Sequence, residues 1–180
     1  MKQLILEINK LKKKKKLNSL VNGRISEFSS FKNKSNVAWF SELCYCILTA
    51  RFQAEKCIDI QKEADRKNAF LKFDKKNLSA FLKKMGHPIY NKRAEYIVKD
   101  RKFKVIRQLI QKKSSQEARE WLDKNIKGFG MKEASHFLRN TGRKDVAILD
   151  RHILNVLQKS KIIKNPRIYR KKHILKLKIN

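Results

Sequence analysis

Between Ile126 and Asn140 the chain reads Ile-Lys-Gly-Phe-Gly-Met-Lys-Glu-Ala-Ser-His-Phe-Leu-Arg-Asn. A helix must end before Gly128, Gly130 follows after one apolar residue, and a second helix starts near Met131. Two glycines in this setting make a tight connection whose backbone can come close to a partner. N–H groups at the start of the second helix point outward, and the helix dipole there favours an anion, for which a DNA phosphate is a natural ligand. Gly128, Phe129 and Gly130 are therefore candidate backbone contacts to phosphate. The same two glycines also suit a helix connection with no ligand. Downstream, Val146-Ala147-Ile148-Leu149 leads into Asp150, followed by the apolar-periodic Ile153, Leu154, Val156 and Leu157. Asp150 stands where an N-cap belongs. His136 and His152 have no cysteine or carboxylate pattern around them that would make a metal site, and read as packing or hydrogen-bonding residues.

The elements that position these residues are helices, in a strongly basic chain. Of 180 residues, 46 are Lys or Arg and 16 are Asp or Glu, a formal net charge of +30. The surplus is uneven: +6 over residues 1–16, +10 over residues 151–180, and +14 between them. Such a field suits a polyanion, nucleic acid before an anionic membrane surface. The length fits one domain, or two small lobes around a cleft, and ten Phe and two Trp argue against disorder along the whole chain. No apolar run approaches the ~20 residues of a membrane-spanning helix, and the first residues lack the features of a secretory signal. Three cysteines cannot form a disulfide framework, which fits a reducing cytoplasm.

With five Gly, two Pro and little strand-like alternation, the expected fold is all-α. An amphipathic helix with Leu4, Ile5, Ile8 and Leu11 on one side is expected within residues 1–20, ended or frayed by the Lys12–Lys16 run. Ser35-Asn36 caps a helix from Val37 to about Cys57, apolar around most of its circumference and therefore central and buried. Further helices are expected over Ile58–Phe70, Leu78–Met85, Arg93–Phe103 and Ser115–Asn125. Cys44 and Cys46 read as core filling.

Residues 127–152 resemble the helix-hairpin-helix motif and downstream aspartate of base-excision DNA glycosylases. They are most similar to the archaeal-type 8-oxoguanine DNA glycosylase/lyase family. Phe31-Lys32-Asn33-Lys34-Ser35-Asn36 with Trp39-Phe40, the run Glu42–Ala50, Lys84-Met85-Gly86-His87 and Tyr90–Val98 extend the resemblance over about residues 25–157. It implies a helix-hairpin-helix glycosylase fold with two helical lobes flanking a cleft. The hairpin would occupy about residues 119–140, after a basic N-terminal helical segment (1–24) and before a basic tail (158–180).

The function it implies is excision of 8-oxoguanine from double-stranded DNA, coupled to strand cleavage at the abasic site, by a monomer in the cytoplasm at the nucleoid. Lys132 matches the family's nucleophile, an amine that attacks the sugar C1′ and holds the sugar as a Schiff base. A lysine is almost fully protonated at neutral pH. The first turn of a helix in a basic protein disfavours that charge, which is the direction a nucleophile needs. Asp150, 18 residues on, matches the family's aspartate, able to accept a proton and to stabilise positive charge on the sugar.

Where family members carry Asn or another small polar residue after the Ile-Leu-Thr-Ala run, this chain has Arg51-Phe52-Gln53. Arg51 and Gln53 are the wedge candidates for the gap left by the extruded base, and a phosphate contact alone suits Arg51 equally well. Met85 and His87 lie in a segment similar to the family's pocket edge, and a loop-capping role fits His87 equally well. The family continues with further helices, aromatic residues and a terminal lysine that recognise the base, whereas this chain becomes Lys-rich after Gln158. The tail therefore reads as truncated. No cofactor is implied: no four-cysteine iron–sulfur motif follows Cys57, and a potassium or sodium ion in the hairpin is compatible but not required. The alternatives are a relative that has kept only abasic-site lyase activity, a non-catalytic DNA-binding relative, and a basic RNA-binding protein.

Overall fold

The computed structural model describes residues 2–164, and within them every regular element is helical. Eleven α-helices are found there: α1 (Lys2–Lys12), α2 (Lys15–Phe31), α3 (Asn36–Thr49), α4 (Ala54–Arg66), α5 (Ala69–Lys72), α6 (Lys75–Lys84), α7 (Tyr90–Asp100), α8 (Ile106–Ile110), α9 (Ser115–Asn125), α10 (Met131–Asn140) and α11 (Arg151–Lys159). A short 3-10 turn, Arg101–Phe103, follows α7. The expected basic tail, residues 158–180, lies outside the described residues from 165 onward. No helix among the described residues is long and apolar enough to cross a membrane.

The central helix is α3. The Ser35 hydroxyl accepts the Ala38 N–H at 3.3 Å, and every residue from Trp39 to Leu48 is buried. Burial on all sides follows from its composition, because α4, α7, α8 and α10 pack around it. Fully burying a Leu, Ile or Phe side chain contributes about 1.5–3 kcal/mol. Phe40, Leu43, Ile47 and Leu48 on α3 meet that condition, as do Ile97 on α7 and Phe137 on α10. Cys44, Cys46 and Cys57 are buried free thiols, and burial pushes each well above the usual thiol range. All three fill the core, as expected of Cys44 and Cys46.

Three differences from the sequence reading have physical causes. A single helix from Val37 to about Cys57 does not form: α3 ends at Thr49 and α4 starts at Ala54. Between them Arg51 adopts a left-handed φ of 65°, and side chains from the distant His87 and Arg93 take the Leu48 and Ala50 carbonyls. These tertiary bonds replace the continuing helical ladder. The expected Ile58–Phe70 helix is likewise divided into α4 and α5, with Asn68 at φ 54° between them. Finally, the basic N-terminal helical segment expected over residues 1–24 is two helices, and α2 runs on past it to Phe31. Asn18, Ser19, Asn22 and Gly23 within α2 are weak helix formers, and α2 buries no residue. Its far end is held instead: the Phe31 ring meets Trp39 edge-on at 6.3 Å, and the Arg139 guanidinium lies 4.6 Å from the Phe28 ring centroid. The α1–α2 break at Lys13–Lys14 falls inside the lysine run, where like charges repel.

Candidate active site and nucleic-acid interface

The hairpin is α9, the turn 126–130 and α10. Helix α9 starts with a reciprocal cap, the Ser114 hydroxyl accepting the Glu117 N–H at 3.2 Å and the Glu117 carboxylate accepting the Ser114 N–H at 2.8 Å. After Ile126 the chain turns over a buried carboxylate: Asp100, at the end of α7, accepts the Lys127 N–H at 2.9 Å. Burial raises the Asp100 carboxyl to about 7, against the opposing effect of that hydrogen bond.

The two hairpin glycines differ in what they do. Gly128 has φ +86°, and a Cβ on it would stand 2.5 Å from Cδ2 of Tyr96. It is required by the turn itself. Gly130 has an extended φ of −125° that any residue adopts, and a Cβ there would meet nothing closer than the Glu133 carboxylate at 3.4 Å. Phe129 between them turns its ring inward, 6.1 Å from the Phe137 ring, and donates its N–H to the Ile126 carbonyl at 3.3 Å. Its side chain is thus a packing group.

Helix α10 then begins, with Lys132 its second residue. Glu133 accepts the Gly130 N–H at 3.3 Å, while its other oxygen lies 3.8 Å from Lys132 Nζ. The Met131 and Lys132 N–H groups have no acceptor among the described residues, as expected in a first helical turn. The Lys132 side chain is 46% exposed. An accessible amine thus stands beside unpaired N–H groups at a positive helix end. One turn further along, His136 packs edge-on against Tyr45 at 5.9 Å. Burial, then Arg139 and Lys132, hold His136 down at about 4, so it is neutral at physiological pH. At the far end of α10 the Asn140 amide donates to the buried Glu42 carboxylate of α3 at 2.5 Å, fixing the hairpin to the core.

Asp150 is the N-cap of α11, accepting the Ile153 N–H at 2.9 Å. Its other oxygen has no hydrogen-bond partner among the described residues. No ion pair within 4.0 Å joins it to Lys132 there; the lysine's neighbour at that range is Glu133. Leu149 and Leu154, on either side of Asp150, pack with Ile163 in a small cluster apart from the main core.

Three of the remaining candidates, Arg51, Gln53 and His87, gather around the α3–α4 turn. Arg51 and Gln53 are both exposed, Arg51 in its left-handed conformation and Gln53 at the N-cap of α4. Met85 ends α6 and packs, half-buried, on the core. His87 is 1% exposed: Nε2 donates to the Leu48 carbonyl at 3.0 Å and Nδ1 accepts the Ile89 N–H at 3.1 Å, a pairing that assigns the neutral Nε2–H tautomer. Its ring lies 4.6 Å from Phe52, and burial lowers its pKa. This is the loop-capping geometry, with neither ring nitrogen free for a base. Sequence reasoning passed over Arg93, Asp100 and Glu133. Glu133 carried a signal, an acid at the third position of a helix whose N-cap N–H it can accept; buried Asp100 and Arg93 carried none.

A family model for 8-oxoguanine DNA glycosylase (Ogg-HhH) matches residues 21–178. The chain belongs to that family. Among its relatives in the 8-oxoguanine DNA glycosylase family, the 8-oxoguanine DNA glycosylase/AP lyase of Methanocaldococcus jannaschii is 52% identical over 161 residues, 89% of this chain and 76% of that protein. The Thermotoga maritima protein of the same name is 37% identical over 177 residues, 97% of this chain and 84% of that one. The crystal structure of the Methanocaldococcus jannaschii glycosylase/lyase with a 15mer DNA containing 8-oxoguanine superposes with a TM-score of 0.85 at 50% identity, over 91% of this chain and 78% of that chain. The Thermotoga maritima glycosylase superposes with a TM-score of 0.84 at 36% identity, over 91% and 77%. The family match takes in the hairpin, Asp150 and most of the basic tail, while α1 lies ahead of it.

Proposed function

We propose that this protein excises 8-oxoguanine from double-stranded DNA and cleaves the strand at the resulting abasic site, with Lys132 as nucleophile. Family membership supports the reaction class. The observation that carries the residue assignment is the placement of Lys132: an exposed amine in the first turn of α10, directly after Gly128-Phe129-Gly130. The hairpin backbone binds a phosphate at the unpaired N–H groups of α10, which sets the amine beside the sugar of an extruded nucleotide.

The neutral Lys132 amine attacks C1′, the bond from C1′ to the base nitrogen breaks, and the base leaves with the electron pair. Loss of the amine proton and opening of the sugar give a Schiff base. A proton then leaves C2′, the C3′–O bond breaks, and the strand is cut by β-elimination. Asp150 is the carboxylate that stabilises positive charge on the sugar and takes up the amine proton, using the oxygen its capping bond leaves free. As apo contacts tighten in complexes, the absence of a direct ion pair to Lys132 is compatible with that role. Arg51, at the exposed tip of a pinned turn, is the wedge that fills the emptied base stack; Gln53, one step into the α4 cap, flanks it.

Beneath the turn, the Asp100 Oδ1 is buried without a partner. A potassium or sodium ion held by turn carbonyls above it would add positive charge toward a phosphate, and no step depends on it. The protein works as a monomer on lesion-containing or abasic DNA at the nucleoid.

The test is borohydride trapping on two duplexes, one with 8-oxoguanine opposite cytosine and one with an abasic site, for wild type and Lys132→Gln. Trapping on both, lost in the variant, is the expected result. Trapping on the abasic duplex alone identifies a lyase without a base pocket. No trapping on either overturns the enzyme reading and leaves a DNA-binding protein.

A further inference from the structure

Arg93, on α7, is 7% exposed, and no acidic group lies within ion-pair range of it among the described residues. A buried cation without a counter-charge is costly, and an apolar side chain of similar volume would fill the space without that cost. What the guanidinium supplies is a rigid, planar, two-armed shape. One arm, Nη2, donates to the Ala50 carbonyl at 2.5 Å. The other, Nη1, lies 3.5 Å from the point where a Cβ of Gly128 would stand, and the guanidinium carbon is 5.9 Å from the Tyr96 ring centroid. Tyr96 is the ring on which Gly128 packs. Arg93 Nε has no partner.

One arm therefore bonds the α3–α4 turn, and the other faces the hairpin across the space that Gly128, lacking a Cβ, leaves open. Ala50 precedes Arg51, whose left-handed backbone holds its side chain at the exposed tip of the α3–α4 turn. Gly128 lies four residues before Lys132. His87 anchors the same α3–α4 turn through the Leu48 carbonyl and the Phe52 ring, but its hydrogen bonds stay within that turn and its own loop. Arg93 is the strut between turn and hairpin.

We propose that Arg93 is a positioning residue, setting the Arg51 turn at a fixed distance from the hairpin so that the side chain entering the duplex and the amine attacking the extruded nucleotide act in register. This rests on the reading of Arg51 and Lys132 given above. Arg93 itself touches no substrate. Its loss therefore impairs reactions that require extrusion from a duplex and spares those that do not.

The test compares wild type, Arg93→Met and Arg93→Lys on two substrates under single-turnover conditions. One is the 8-oxoguanine:cytosine duplex; the other is a single-stranded oligonucleotide with an abasic site, assayed by borohydride trapping. Misplacing reacting groups by about 1 Å costs on the order of 100-fold in rate, so Arg93→Met should lose about 100-fold on the duplex and less than about threefold on the single strand. Arg93→Lys keeps a cation and a donor for Ala50 but not the second arm, and should show the same split at about tenfold. 2-Aminopurine beside the lesion should report slower extrusion in both variants. Equal losses on the two substrates, or wild-type rates for Arg93→Lys on both, overturn the proposal, and the lysine variant decides it if the methionine variant fails to fold. A wild-type protein inactive on both substrates would instead refute the functional reading.

Discussion

Replacing the two hairpin glycines by alanine separates the residue the fold needs from the residue the ligand needs. At Gly128 the backbone φ is +86°, and the new Cβ would stand 2.5 and 2.9 Å from Cδ2 and Cε2 of Tyr96. An L-residue in the left-handed region costs roughly 1–2 kcal/mol. Forcing a methyl group into a packed site costs about 1–3 kcal/mol more. The sum is about 3 kcal/mol, and at roughly 2–4 °C per kcal/mol for a domain of this size, Gly128→Ala should melt about 6–12 °C lower. At Gly130 the backbone is extended and the nearest group is the flexible end of Glu133 at 3.4 Å, so Gly130→Ala should change stability by less than about 0.5 kcal/mol. Its methyl group instead obstructs a phosphate approaching the start of α10. Losing one hydrogen bond to a charged group, about 1.5–3 kcal/mol, weakens DNA binding at least tenfold. Thermal melts followed by circular dichroism, with fluorescence anisotropy on duplex DNA at fixed salt, read both effects. Adding Tyr96→Leu to Gly128→Ala relieves the overlap and leaves the dihedral cost, so the double variant should be more stable than the summed single effects. An unchanged melting temperature for Gly128→Ala refutes the packed left-handed turn. Wild-type affinity for Gly130→Ala refutes phosphate binding at the hairpin.

Three further outcomes are expected. Asp150→Asn keeps an N-cap acceptor for Ile153 and should melt like wild type while losing most excision activity; Asp150→Ala should in addition lose about 1 kcal/mol of stability, and full activity in the Asn variant would remove the carboxylate from the mechanism. Asp100, raised to about 7 from 3.8, holds its proton in the folded state after the unfolded chain has lost it, so its contribution to stability is greatest below pH ~4 and falls as pH rises to ~7. Asp100→Asn, which still accepts the Lys127 N–H, should therefore gain on wild type across that window by an amount on the order of a few kcal/mol; a flat difference between the two melting curves contradicts the buried acid. His136 slopes the other way between about 4 and 6.5 in both proteins and cancels in that comparison. Arg51→Ala should lower excision from duplex DNA more than Gln53→Ala does, with rates on single-stranded abasic sites as the control, and the reverse ranking would make Gln53 the wedge.

The helix-hairpin-helix was legible because its signals are local. Gly-Phe-Gly between two apolar periodicities marks the turn, and Ser115–Asn125 and the start at Met131 follow from spacing and capping within a few residues. Asp150 as an N-cap was legible for the same reason, and so was the burial of α3, written in an apolar run with no polar face. Tertiary structure decided the rest. Only packing distinguishes Gly128, pressed on Tyr96, from Gly130, which touches nothing that excludes a side chain. The end of α3 at Thr49 depends on His87 and Arg93, 39 and 43 residues from the carbonyls they bind. The sequence by itself determined the all-helical class, the two hairpin helices, and where an amine and a carboxylate stand at helix starts, because capping and periodicity act over one or two turns. Which loops are pinned together, and which buried groups go without partners, depends on bonds between distant segments that exist only once the core has closed.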